Sequence, residues 1–380
     1  MQVYRAFRAC APVYNAAMEK FDVAVIGAGV AGLSTAFFVA QRGARVVVLE
    51  REAQPAYHTS GRSAAMYIEG YENRTVSRLT TEGKDFFFAP PAGFTDTPLL
   101  DARGGMTVAG PQEDAPFDRY LKEWQPYCPQ LEEVSTARAL EICPILNPDW
   151  LTRAAWDPTW YAIDTHALIM GFQRGVKAAG GVVATGRSVD ELCPAGDQWH
   201  ATCAEITYAA PVVVNAAGAW AADVASLAGL PALPLTPMRR TAAIVPAPDH
   251  ARAWPLVHTI TGNLYFKPES PGLMVSPQDE IPSPPMDAYP EDLDVAVALE
   301  RFATITTLPV ERVLRTWAGL RTFAPDRLPA FGFDPRAAGF FWAAGQGGFG
   351  MQTAPGLGRL AAAGIAGETL PADVTVERLL

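Results

Sequence analysis

Hydrophobic and polar positions first organise at Phe21. Residues 21–26, FDVAVI, form the short β-branched run expected of a buried strand. The run meets Gly27-Ala28-Gly29-Val30-Ala31-Gly32, and the helical stretch VAGLSTAFFVAQRG follows, with Gly43 as its stop. ARVVVLE is the next strand and ends on Glu50. DTHALIMGFQRGVKAAGG predicts a helix over 164–181, with Asp164 or Thr165 at its start and Gly180 past its end. APVVVNAAGAWA (210–221) is another apolar strand, ending in the small residues Asn215-Ala216-Ala217-Gly218. Near the C-terminus a strand over 340–344 leads into a glycine-rich turn, Gly345 to Gly350, and then a helix of Ala and Leu. The proline-dense stretch 277–290, PQDEIPSPPMDAYP, reads as a loop over the mouth of a site. No internal repeat is evident.

This interleaving predicts an α/β fold: a Rossmann-like dinucleotide-binding domain with a second, β-rich α+β substrate domain. The first is expected to be discontinuous, from residues 18–70, 160–225 and 325–380. The intervening segments 71–159 and 226–324 are assigned to the second domain, and residues 1–17 to a loose N-terminal extension.

Composition narrows the function. Of 380 residues, 49% are apolar and 18% charged, which suits a globular enzyme and not a disordered chain. The formal charge is −10, and no run of Lys and Arg interrupts it, so a nucleic-acid groove is not expected. An anionic substrate would need a local cationic pocket. The five cysteines, at 10, 128, 143, 193 and 203, include no CxxC pair, which reads as reduced cytoplasmic thiols and no metal cluster. The opening MQVYRAFRACAPVYNAAMEK lacks the apolar core of a signal peptide; a misplaced start (Met18 is an alternative) or a loose arm is the expectation. No run of about 20 apolar residues marks a spanning helix.

The first glycine turn has a mechanical reading. Gly27 permits the tight turn, Gly29 lets backbone approach a pyrophosphate, and Gly32 allows close helix–strand packing. The helix N-terminus offers free N–H groups to phosphate. Glu50, 18 residues beyond the third glycine, would accept hydrogen bonds from an adenosine ribose. The unit alone does not separate NAD from FAD. A later part of the chain returning to the dinucleotide marks a flavoprotein, and the second strand–glycine–helix unit would aim a helix N-terminus at the negative charge of a reduced flavin.

The strings VIGAGVAG, VVVLEREAQPAYHTSGRSAAMY, PPAGF, VNAAGAW, RRTA, YFKP, TWAGLRTF and GFFWAAGQGGFGMQT, spread from Phe21 to about Ala362, resemble the D-amino-acid oxidase/glycine oxidase-like FAD superfamily. Within it the likeness points to the bacterial D-arginine dehydrogenases. The resemblance implies non-covalent FAD. Its contacts would come from Gly27, Gly29, Gly32, Glu50 and Arg51, and from the loop Ser60, Gly61, Arg62, Ser63 and Ala64. Gly218, Gly347, Gly348, Gly350, Met351, Gln352 and Thr353 would complete them. No cysteine occurs in 310–360, where some related amine oxidases tether the flavin.

The same resemblance places a carboxylate-binding set on Arg240, Tyr265, Arg321 and the Gly348 backbone, with Tyr71 in an active-site lid and Tyr67 packing behind it. A guanidinium fork suits a carboxylate, and a tyrosine hydroxyl adds a donor. Arg240 opens an apolar strand, RTAAIV, and Arg321 follows a strand in TWAGLRTF; structural salt bridges are the alternative for both. Arg239 is expected to face solvent, since adjacent strand residues point to opposite faces. His58 belongs with the cofactor loop.

Three positions depart from the D-arginine pattern. A pocket histidine falls on Met66, the acid for the substrate guanidinium falls on Gly105, and a pocket valine falls on His258. Without that acid a buried cationic side chain would stand unpaired, which is costly. Met66 and Leu256 make the wall apolar, and Asp96 or Glu69 would compensate only by pointing inward. His258 either recognises a polar side chain or modulates amine protonation, or is a satisfied structural histidine.

These features imply FAD-dependent oxidative deamination of an amino acid, a D-amino acid with a neutral or hydrophobic side chain being the expected substrate. The carboxylate is clamped, the amine loses its proton, and hydride passes from Cα–H to flavin N5. The imino acid then hydrolyses to the keto acid. Positioning of this kind is worth about 7–11 kcal/mol. A quinone-type acceptor or oxygen would reoxidise the flavin. The alternatives are an N-methyl amino acid (sarcosine-like) or glycine oxidase producing peroxide, and a flavin-binding protein without turnover, in which the arginines would be missing.

Overall fold

The structure, a computed structural model, describes residues 17–380; the expectation for the N-terminal extension falls almost wholly on residues outside these. Four β-branched or aromatic runs too apolar to face water form the middle of a six-stranded sheet. Its order is Val182–Ala184, Val46–Leu49, Val23–Ile26, Val212–Asn215, Phe340–Ala344 and Ala330–Phe333. The first five strands are parallel and the last is antiparallel. Helices Val30–Gln41, Thr165–Ala178 and Gly350–Ile365 cover one face through a core that includes Leu33, Phe37, Phe172 and Leu357. Asp164 caps its helix by accepting from the Ala167 N–H at 2.8 Å, and Gly180 beyond the end has φ +80°. The opposite face meets a four-stranded sheet in which Ala17–Lys20 is an edge strand parallel to Ile206–Ala210.

The second large sheet has nine strands and carries the longest ones, Thr236–Val245 and Arg315–Phe323, side by side. Helix Asp292–Ile305 and the loops around Leu146 seal one of its faces with a core that includes Val257, Phe266 and Phe302. The other face looks toward the glycine turns of the first sheet. Parallel strands of the first sheet end at Ile26 and Asn215, where their glycines begin. That is the crevice where open α/β sheets bind ligands.

Three expectations need correction here. Arg240 and Arg321 lie inside their strands, not at the ends of them. Arg239 does point to the face opposite Arg240, but helix Asp292–Ile305 covers that face. Its guanidinium is held by Glu291 at 2.7 Å and Asp294 at 2.9 Å instead of facing solvent. The cysteines also differ from a uniformly reduced set: Cys128, Cys143 and Cys203 are free, whereas Cys193 is disulfide-bonded.

Candidate active site

Three cavities share walls and form one trough along the crevice. The first, of about 290 Å³, is lined by Gly27, Gly29, Glu50, Arg51, Ser60 and Gly218. Here the glycines act as close-approach residues. A Cβ on Gly27 would sit 2.6 Å from the Ala216 carbonyl, and one on Gly32 would sit 1.9 Å from the Gly27 carbonyl. Gly32 therefore closes the turn without reaching the cavity. The Val30 N–H at the helix start is taken by Ser60 Oγ at 2.9 Å. Glu50 accepts from Ala28 N–H at 2.7 Å and Glu52 N–H at 2.9 Å, which fixes its carboxylate at the wall with lone pairs to spare. Arg51 lies 3.8 Å over the Trp220 ring, and His58 pairs with Glu52 beside them.

The middle cavity joins this one at Gly29, Ser60 and Gly218 and runs to Ser63, Ala64, Gly347, Gly348, Gly350 and Met351. Two buried polar atoms on its wall, Gln346 Nε2 and Thr322 Oγ1, have no hydrogen-bond partner among the described residues. Gly347 has φ +44°, and a Cβ there would meet the Phe323 ring at 2.2 Å. A ring system with polar edges fits such a place, since orphaned buried groups otherwise carry a desolvation cost. Arg62 lines the cavity but spends its guanidinium on the Ala288 and Ala318 carbonyls and on Asp287, tying the loop down. Gly61 and Thr353, expected as cofactor contacts, are not on the walls of these three cavities. Gly61 closes against the Ala56 carbonyl, and the buried Thr353 hydroxyl donates to Phe349 O at 2.9 Å.

The third cavity, of about 540 Å³, shares Arg240, Tyr265, Arg321 and Gly348 with the middle one and adds Tyr71, His258 and Gln352. The nine-stranded sheet positions these side chains. Arg240 pairs in register with Gly319, two residues before Arg321, so both guanidinium groups leave the same face. Arg240 is already engaged, with Nε donating to Asp279 O at 2.7 Å and Nη2 to Glu280 at 3.0 Å. Arg321 makes no hydrogen bond or ion pair with any described residue, and neither do the hydroxyls of Tyr71 and Tyr265. A Cβ on Gly348 would lie 2.7 Å from Arg321 Nη1, so only glycine leaves the fork free to turn into the cavity. Burial, with Arg321 opposite, pulls Arg240 below the ordinary range; Arg321, despite burial, is raised by Tyr265, Tyr71 and Glu280. Both stay charged, since arginine does not deprotonate in proteins. Burial raises Tyr71, keeping its hydroxyl a neutral donor.

His258 lies on the cavity wall with both nitrogens used. Nδ1 sits 3.1 Å from Thr259 O, so it carries the proton, and Nε2 accepts from Thr107 Oγ1 at 2.8 Å. Burial pushes its pKa down to about 4. The ring is neutral and satisfied, which favours the structural alternative over a role at the amine. Gly105 is not on the wall: a Cβ there would overlap the Trp160 ring at 1.8 Å. Neither compensating acid points inward. Glu69 accepts from Tyr67 and pairs with Lys84 at 2.8 Å, and Asp96 is exposed.

Sequence reasoning missed the ionic group at the cavity mouth. Arg327 binds Glu72 and also both Glu280 oxygens, at 2.9 and 3.0 Å. Glu72, Gln278 and Arg327 all adopt left-handed backbone, with φ +63°, +53° and +60°, and all line this cavity. Strain of that sort gathers at functional sites. The only sequence signal was the acid pair Asp279-Glu280 inside the proline-dense loop.

A glycine-cradled trough that ends against a guanidinium with no partner among the described residues suits a dinucleotide-binding protein with an adjoining chamber for an anion. The chain belongs to the DAO family of FAD-dependent oxidoreductases, whose model matches residues 22–363. FAD is accordingly its cofactor, and the trough fits it. Among curated proteins it is 25% identical to glycine oxidase of Geobacillus kaustophilus (strain HTA426), covering 90% of this chain and 92% of that one. It is 23% identical to the mitochondrial dimethylglycine dehydrogenase of Rattus norvegicus over 90% of its own length, but spans only 42% of that longer protein. The solved glycine oxidase of G. kaustophilus superposes with a TM-score of 0.82 at 24% identity, covering 93% of this chain and 96% of the other. L-proline dehydrogenase from P. horikoshii gives 0.80 at 23%, covering 94% and 96%. No helix among the described residues is long and apolar enough to cross a membrane.

Proposed function

We propose that the protein oxidises an amino acid with a neutral or hydrophobic side chain, using non-covalent FAD and holding the substrate by its carboxylate. One observation carries this reading: Arg321 is a buried guanidinium with no partner among the described residues, opening into a chamber that shares its wall with the cofactor trough. An unpaired buried charge is expensive, so the site favours an anion. Tyr71 and Tyr265 supply neutral donors beside it, while Arg240, held by Glu280 and the Asp279 carbonyl, sets the local field.

Gly29, Ser60, Gly218, Gly347 and Gly348 would hold the FAD, which when bound would supply the two-electron acceptor for oxidation at the substrate's α-carbon. The chain's own contribution is to bind and orient. The carboxylate docks on Arg321, the Gly348 backbone lets it approach closely, and the apolar wall of Met66 and Leu256 excludes water from the side chain. His258 does not take the amine proton, since both of its nitrogens are committed. The amine proton is lost to water or to a weak local base. The imino acid then leaves and hydrolyses to the keto acid.

A second reading, oxidation of an N-methyl amino acid or glycine, is favoured by the likeness to proteins named dimethylglycine dehydrogenase and glycine oxidase. A chamber of about 540 Å³ is far more than glycine needs. Anaerobic mixing of the holoenzyme with both enantiomers of the common amino acids and with N-methylated ones decides between them. Bleaching by the primary amino acids of one hand, D being expected, supports the first reading, and bleaching by sarcosine or glycine alone supports the second. Repeating the assay with oxygen or a quinone-type acceptor separates oxidase from dehydrogenase.

A further inference from the structure

Resting on the reading that Arg321 holds the carboxylate, we propose that Trp160 determines specificity. The substrate class it selects is amino acids with a bulky, uncharged, preferably aromatic side chain. The argument begins with charge. The substrate chamber is lined by Arg240, Arg321 and Arg327 against Glu72 and Glu280. Both acids are taken up by Arg327, and Glu280 also by Arg240, leaving Arg321 without a hydrogen-bond or ion-pair partner among the described residues. The chamber therefore has room for one negative charge and no free acid for a cationic side chain.

The far end of the chamber is apolar and rigid. Trp160 is 4% exposed, and its carbonyl accepts from the Arg103 and Gly104 N–H groups at 3.1 and 2.8 Å. Its ring covers Gly105, where a Cβ would meet it at 1.8 Å, and it stacks on His258 with centroids 5.5 Å apart and planes 21° off parallel. His258 is held in that plane by Thr107 and the Thr259 carbonyl. The pair thus presents a fixed aromatic surface, continued by Leu256 and Met66. Four strand spacings separate the strands of Arg321 and His258, about 19 Å across the sheet, so a side chain must extend well beyond Cα to touch this wall. Small amino acids would fill only the carboxylate end.

The test compares wild type with Trp160→Ala and Trp160→Phe, all as FAD-loaded protein with visible spectrum and Tm recorded to confirm folding. Anaerobic flavin reduction is measured with alanine and phenylalanine of the reactive hand. In the oxidised holoenzyme, the spectral perturbation by acetate and phenylacetate gives a Kd for each. The expected result is a wild-type kcat/KM at least tenfold higher for phenylalanine than alanine. Trp160→Ala should remove most of that ratio through KM, with alanine kept within about threefold, and the phenylacetate-to-acetate Kd ratio should fall in step. Trp160→Phe should retain most of both. An unchanged ratio in Trp160→Ala, or a wild type that prefers lysine or arginine, overturns the proposal while leaving the carboxylate reading intact. Failure of alanine, glycine, phenylalanine and sarcosine alike to reduce the flavin overturns both.

Discussion

Removing the Arg321 guanidinium gives the sharpest contrast between binding and folding. Because Arg321 makes no hydrogen bond or ion pair with a described residue, Arg321→Ala breaks no protein contact of that kind and relieves repulsion on Arg240. Its cost falls on the ligand. Truncating one side of a buried, hydrogen-bonded charge pair costs about 2–5 kcal/mol, which is roughly 30- to 5,000-fold in kcat/KM. Arg321→Lys keeps the charge but loses the fork and should fall between. Steady-state dye reduction gives kcat and KM, spectral titration gives FAD content, and calorimetry gives Tm. The expected outcome is a large loss of kcat/KM with FAD retained and Tm unchanged or raised, the usual trade at a strained site. A loss under fivefold, or a drop in Tm that matches the loss of activity, would refute the reasoning.

Other outcomes follow from the same geometry. Glu280→Gln removes the acid between Arg240 and Arg327; it should lower stability by about 1–2 kcal/mol, a half-buried pair being worth less than a fully buried one, and should raise KM, as thermal melts and kinetics will show. Gly32→Ala places a Cβ 1.9 Å from the Gly27 carbonyl, so the protein should purify colourless or unfolded, read from absorbance against protein content. His258 has its folded pKa depressed from 6.5 to about 4, so its neutral form contributes stability that is present above pH 6.5 and lost as pH falls toward 4. That contribution is at most about 3 kcal/mol, less where cavity water reaches the ring, and His258→Gln should flatten the pH dependence of Tm across the window.

Legibility in the sequence tracked locality. The strand–glycine–helix unit from Phe21 to Glu50 is written in consecutive residues, and the Asp164 cap lies three residues from the N–H it accepts. Arg240 and Arg321 were legible by type and by family resemblance, and the structure brings them to one chamber. Their difference was not legible, because it depends on Glu280 and Asp279 reaching Arg240 from 39 or 40 residues away while no described residue hydrogen-bonds Arg321. Gly105 read as a lost acid; only the return of Trp160 across the sheet shows that a ring fills that space. Glu72, Gln278 and Arg327 carry no pattern in sequence, since no glycine marks their left-handed backbone. Gly61 and Thr353 carried over by motif match, yet their neighbours, not the cavity, occupy them.

The most direct measurement is an experimental structure of the FAD-loaded protein with a bound carboxylate such as benzoate. The account expects the flavin ring in the trough beside Gly347 and Gly348, with the carboxylate within hydrogen-bonding distance of Arg321 and of the Tyr71 or Tyr265 hydroxyl. A carboxylate seated elsewhere in the chamber, with Arg321 still unpaired or turned away from it, would contradict the account.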